Sequence, residues 1–190
     1  AGRARVTPIV NVPTLLWSTP VEIGAARLGL SATLPFGRME VSGTVGPLSL
    51  QDTIFTVGDP SFGASLGWHA GQLHWQAGIT GFAPWGDYHR GALANVAKHR
   101  GALDAYGAVT WIEPTLGLDI TNVIGVTFNA TNSATDYRTG NEFHWEWAVT
   151  RRLPGGFSFG AVGYLYQQLT DDSGKGAVLG PFQNNYLRHA

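Results

Sequence analysis

Hydrophobicity with a period of two runs through most of this chain, and no charged residue interrupts its apolar side. In 140–151, Phe143, Trp145, Trp147 and Val149 share one parity, while Glu142, His144, Glu146 and Thr150 share the other. In 116–129, Leu116, Leu118, Ile120, Ile124, Val126 and Phe128 oppose Asp119, Thr121, Thr127 and Asn129. The same holds in 62–70 (Phe62, Leu66, Trp68 against Ser65, His69) and 73–83 (Leu73, Trp75, Ile79 against His74, Gln76, Thr80). It recurs in 103–111 (Leu103, Val109, Trp111 against Asp104, Tyr106) and 157–165 (Phe157, Phe159, Leu165 against Ser158, Tyr164). Successive side chains of a strand point to opposite faces, so each segment reads as a strand with one apolar and one polar side. Away from the strand ends, where Asn141 and Arg151 fall, Asn122 is the only plainly polar residue on the apolar parity of these six strands.

What meets such faces is decided by composition. Only 13% of the 190 residues are charged, where about 25% is ordinary, and there are 26 Gly and 7 Trp. A surface built from this chain is short of charge for water, which points to lipid. No stretch reads as a spanning helix, because the longest run free of Asp, Glu, Lys and Arg is broken by Gly63, Gly67, Gly71, Gly78 and Gly81. The net charge of -1 leaves no polybasic footprint for nucleic acid. The absence of Cys excludes disulfides, thiolate metal sites and a cysteine nucleophile.

The connections alternate in length. Short turns are expected at Ala70-Gly71, Glu113-Pro114-Thr115 and 153–156, with longer loops at about 85–102, 131–139 and 170–175. A two-residue turn at Ala70-Gly71 would pair Trp68 with Leu73, and a turn over 112–115 would put Trp111 opposite Leu116, keeping like faces together. Tight turns at one end and long loops at the other describe an all-β, transmembrane, antiparallel up-and-down β-barrel, here of about 8–10 strands in a single domain over 1–190. A soluble barrel or sandwich with these faces as its core is the alternative. The low charge and the Trp-rich, charge-free faces weigh against it.

The first third reads less clearly. Strands are expected at 6–17 and 23–34, with Pro8 and Pro13 weakening the first. The Gly-rich stretch 36–57 suggests one strand at 38–45 and then a loop. A further strand begins near Ala177, and the chain then ends in Arg188-His189-Ala190 with no closing amphipathic strand. A longer natural protein, or a wall that closes imperfectly, is therefore expected.

Particular stretches carry a family likeness. They are Gly58-Asp59-Pro60 with Leu66-Gly67-Trp68-His69, Ala83-Pro84-Trp85-Gly86-Asp87-Tyr88 with Leu93-Ala94-Asn95, 135–144, and 163–174. In these the chain resembles a bacterial family of outer-membrane proteins of the phenol-degradation meta pathway, most clearly over 58–175. The resemblance implies a barrel in the bacterial outer membrane, in contact with outer-membrane lipid, that admits small hydrophobic or aromatic compounds such as phenolics. It brings no catalytic residues and no cofactor. A barrel serving a structural or adhesive role through its external loops, without transport, is the second reading.

The polar parity supplies the candidate lumen lining: His69, His74, Gln76, Tyr106, Asp119, Glu142, His144, Glu146, Tyr164, Tyr166 and Gln168. These side chains either form a polar channel wall or fill the bore as a hydrogen-bonded plug. A metal site is not expected. His69 and His74 would be diagonal neighbours, and Glu142 and Glu146 lie roughly 13 Å apart along one strand. Asp171-Asp172-Ser173-Gly174 reads as an acidic turn in a solvated loop rather than a Ca²⁺ cradle. Ser65 and His69 are also about 13 Å apart, beyond hydrogen-bond reach, so no hydrolase is expected. Nothing in the pattern fixes an oligomeric state.

Overall fold

The computed structural model describes residues 3–45, 47–179 and 182–183. Eight strands form one antiparallel sheet in the order β11-β10-β9-β8-β7-β6-β3-β2. They are β2 (Thr14–Ile23), β3 (Ala26–Thr33), β6 (Ser61–Ala70), β7 (Leu73–Phe82), β8 (Ala102–Glu113), β9 (Leu118–Asn129), β10 (Glu142–Arg152) and β11 (Ser158–Gln168). A three-stranded sheet, β1-β4-β5, comprises β1 (Arg3–Asn11), β4 (Phe36–Val45) and β5 (Leu48–Val57). Two-residue strands, β12 (Val178–Leu179) and β13 (Phe182–Gln183), follow a 3-10 turn at Lys175–Ala177. β2 and β11 are the two edges of the large sheet, which is not closed among the described residues.

The three-stranded sheet continues the large one. Thr14 faces Thr33 and, three residues further along each strand, Asn11 faces Phe36, so one register runs from β2/β3 into β1/β4. The interruption is a row of prolines. Leu34 N–H donates to Pro13 O at 3.2 Å, Gly58 N–H to Pro35 O at 2.8 Å and Ala83 N–H to Pro60 O at 2.9 Å. A proline accepts in a ladder but cannot donate, so a row of them on adjacent strands ends the regular wall at one level. Beyond that row β1, β4 and β5 project as an arm of about 33 Å, at roughly 3.3 Å per residue. The stretch 36–57 is therefore two strands, not a strand and a loop. Its inward side chains Asp52 and Thr56 are held by the loop between β7 and β8, which accounts for polar residues at strand positions.

Turn chemistry fixes the other end. β6 and β7 close through Gly71-Gln72, with Gly71 at φ +56. Ala70 thus faces Leu73 and Trp68 faces Trp75, two residues on from the pairing that a turn at Ala70-Gly71 would give. Between β8 and β9 the loop is 114–117, so Trp111 faces Ile120 rather than Leu116. Both slips are even-numbered, which preserves every face.

No soluble core exists among the described residues. The buried apolar residues are four alanines, Ala26, Ala94, Ala97 and Ala177, and no large side chain is fully buried. Strands touch mainly their ladder neighbours, and no two sheets pack face to face. On the apolar face Ile124 is 56% exposed and Trp145 40% exposed. Apolar area costs roughly 25 cal/mol per Å² in water, so a continuous face of this kind requires hydrocarbon against it. Its height agrees. From Leu118 to Phe128 the apolar side of β9 spans about 33 Å along the strand, or about 25 Å at the tilt usual for membrane barrels. Aromatic rings mark both limits: Trp68, Trp75 and Trp111 near the turns, and Phe62 against Trp85 near the loops, with ring centroids 6.0 Å apart.

Past the proline row the same outward face changes character. Leu15, Trp17, Leu30 and Ala32 give way to a mixed face on which Arg5, Thr7, Arg38 and Glu40, the last two ion-paired, stand beside exposed Ile9 and Phe55. The arm thus stands beyond the apolar belt.

Candidate functional site

Alternation puts all eleven candidate lining residues on the polar face of the large sheet, opposite the exposed apolar face. The structure divides them into two groups. One lies near the loops, the other near the turns.

Near the loops, Asp104 of β8, Thr127 of β9 and His144 of β10 converge. Asp104 Oδ1 accepts a hydrogen bond from Thr127 Oγ1 at 2.9 Å and lies 3.0 Å from His144 Nε2. His144 Nδ1 approaches Glu146 Oε1 at 3.3 Å, so the imidazole spans two carboxylates. Its ring fits because Gly125, beneath it, has no Cβ; one added there would sit 2.3 Å from His144 Nε2. Arg100 Nη2 is 3.9 Å from Glu142 Oε1, both side chains being about nine-tenths buried. The Tyr166 hydroxyl hydrogen-bonds Glu142, and Gln168 Nε2 donates to Asp172 Oδ1 at 2.8 Å. Asp104, absent from the candidates, is a member as central as His144. It lies on the polar parity of β8, the signal that could have found it.

Tyr106 sits between the groups. Its ring lies along the wall over Gly78, directly opposite on β7, where a Cβ would come within 2.6 Å of the ring. The hydroxyl accepts from Gln76 Nε2 at 3.4 Å. Glycine here lets a large side chain lie flat, which keeps space clear in front of the wall.

Near the turns, Arg152 Nη2 donates to Asp119 Oδ1 at 2.8 Å, and Arg27 Nη2 to Glu22 Oε1 at 3.1 Å. His69 and His74 face one another directly, not diagonally, with ring centroids 5.7 Å apart and planes 26° from parallel. The polar face fronts an open cavity of about 610 Å³ lined by residues of β2, β3 and β6 to β9, among them Arg27, His69, His74, Gln76, Tyr106 and Thr121. Tyr164 shares the polar parity but lies on edge strand β11 and is 80% exposed, so it joins neither group.

The long loops are knitted together rather than free. Asp59 accepts from the backbone N–H groups of Gly86 (3.0 Å), Lys98 (2.7 Å) and His99 (2.8 Å). Asp52 accepts from Leu93 and Ala94. Gly86 lies so close to Gly58 and Asp59 that a Cβ would fall 2.5 Å from the Gly58 carbonyl carbon. Asn132 Nδ2 ties the next loop to Lys98 O at 2.9 Å. Asp172 is buried and accepts from Gly140 N–H at 3.0 Å and from the Tyr137 hydroxyl. Asp172 thus anchors the segment 171–174 from within, while Asp171, Ser173 and Gly174 are exposed. Burial, then the Asp172 carboxylate, push the Tyr137 hydroxyl up to about 12. Among the described residues no group of three or more His, Asp or Glu is arranged to hold a metal ion.

The family described as "Putative MetA-pathway of phenol degradation" matches residues 1–188, well beyond 58–175. Among solved structures, the crystal structure of an outer membrane channel from Pseudomonas putida F1 matches with a TM-score of 0.77 and 19% identity over 90% of this chain. The chain spans 64% of that channel's length. No curated protein matches. The fold is that of an outer-membrane channel wall.

Proposed function

The chain belongs to the MetA-pathway of phenol degradation family, and from that membership we propose that it forms the wall of an outer-membrane channel for passive uptake of small hydrophobic or aromatic compounds such as phenolics. The observation that carries this reading is the pairing of two faces on one sheet. The outward face is apolar, exposed and about 25 Å tall, while the inward face is polar and fronts a cavity of about 610 Å³.

The mechanism is diffusion, with no cofactor and no covalent chemistry. Exposed sheet edges are not tolerated in hydrocarbon, so the working wall is closed, its backbone groups all paired. Lipid contacts Ile124, Leu30 and their neighbours, and solute contacts the polar face. Flat-lying Tyr106 offers a ring face to an aromatic solute, while Gln76 and the Thr110 and Thr121 hydroxyls offer hydrogen bonds to a phenolic oxygen. The pinned loops form the outer constriction, where Glu142, His144 and Glu146 set a polar, net acidic threshold that disfavours anions.

Liposomes carrying the folded protein should pass phenol faster than empty liposomes, and Glu142→Gln with Glu146→Gln should raise the relative flux of benzoate. Flux equal to that of empty liposomes would remove the transport reading and leave a structural barrel acting through its loops.

A further inference from the structure

The histidine pair at the turn end plays no part in the wall's hydrogen bonding. His69 and His74 flank the pair Ala70 and Leu73 that closes the β6/β7 turn. Ile112 N–H donates to Gln72 O, so the even-numbered residues of β7 direct their backbone groups to β8 and away from β6. His74 and His69 therefore occupy a non-hydrogen-bonded position, where facing Cα atoms approach to about 4.5 Å and side chains come closest. The rings stack, and neither has a hydrogen-bond or ion-pair partner among the described residues. His144 differs, being held by Asp104 and Glu146. Both members of the pair line the cavity, and the nearest cation in that lining, Arg27, is neutralised by Glu22.

Two imidazoles carried on facing strands are the donor set that Cu²⁺, Ni²⁺ and Zn²⁺ favour over oxygen-seeking cations. We propose that His69 and His74 form a two-imidazole chelate for a divalent transition cation at the turn end of the inner wall, with water completing the coordination. Rotation of each ring about its side-chain bonds would turn the stack into a clamp, and no hydrogen bond or ion pair has to break for it. An ion bound there sits in the cavity lining and narrows the path through it.

The test uses the full chain folded in detergent and Cu²⁺ alone. Calorimetric titration should show one ion per chain, and the electron paramagnetic resonance spectrum should show coupling to two imidazole nitrogens. His69→Asn or His74→Asn should weaken binding by more than the roughly tenfold that loss of an outer-shell partner alone costs a metal site. His89→Ala and His99→Ala should leave it unchanged. Equal affinity in the parent and in His69→Asn or His74→Asn, or loss of binding in the His89 or His99 variants, overturns the assignment. Should a histidine variant fail to fold, the parent spectrum decides: one coupled nitrogen or none overturns it.

Discussion

The indole N–H of Trp145 donates to Asn122 Oδ1 at 3.2 Å, on the outward face of the wall, between neighbouring strands. Asn122 is the one polar side chain in the interior of that face across the six clearest strands, Glu113, Arg151 and Gln167 standing at strand ends, and Trp145 supplies it with a donor where lipid has none. Trp145→Phe should therefore destabilise the folded protein in bilayers by about 1 kcal/mol, the size measured for side-chain hydrogen bonds in membranes. Adding Asn122→Leu should recover the loss. Denaturant unfolding in liposomes checks both, and an unaffected Trp145→Phe variant would mean the bond carries no weight.

Gly78 and Tyr106 bear on the bore. Gly78→Val places branched carbons where the Tyr106 ring now lies, and the ring must swing away from the wall. Phenol flux through reconstituted protein should fall severalfold, and Tyr106→Ala in the Gly78→Val background should restore it. Unfolding midpoints should move far less than flux.

Asp59 gathers three backbone N–H groups from one loop. Hydrogen bonds to a charged acceptor contribute about 1.5–3 kcal/mol each, so Asp59→Ala should release the loop while leaving the ladders intact. Tryptic cleavage after Arg90, Lys98 or Arg100 should quicken by about tenfold or more, the factor that 1.4 kcal/mol represents. Gly86→Ala should act in the same direction.

Tyr137 gives the loops an alkaline limit. Its hydroxyl is raised from 10.0 to about 12, so the folded state favours the neutral form. That contribution is complete below pH 10 and disappears as pH rises through 12. Tyrosinate absorbance should show a late step that Tyr137→Phe removes, and protease resistance of 130–141 should fall over the same window in the parent alone.

Faces were legible in the sequence and pairings were not, for one reason. Moving the β6/β7 turn from Ala70-Gly71 to Gly71-Gln72 shifts partners by two, so His69 meets His74 instead of Gln72 with no side chain changing face. Parity is therefore robust to the error that spoils register. The arm was obscured because charge enters its outward face, Arg38 and Glu40 standing beside Ile9 and Phe55 where β3 carries Leu28 and Leu30. The anchoring roles of Asp52, Asp59 and Asp172 depend on loops brought together from 32 to 41 residues away. No local spacing encodes that. Asp104, by contrast, was readable on parity alone.

The proline row makes the length of the arm an independent variable. Because its two hairpin limbs inherit their register from the strands below, adding two residues to β4 and two to β5 lengthens its reach by about 6.6 Å and rotates nothing beneath it. A graft at its tip, an epitope or a tether, would then stand at a chosen height beyond the apolar belt, turned by the strand twist that the added residues bring.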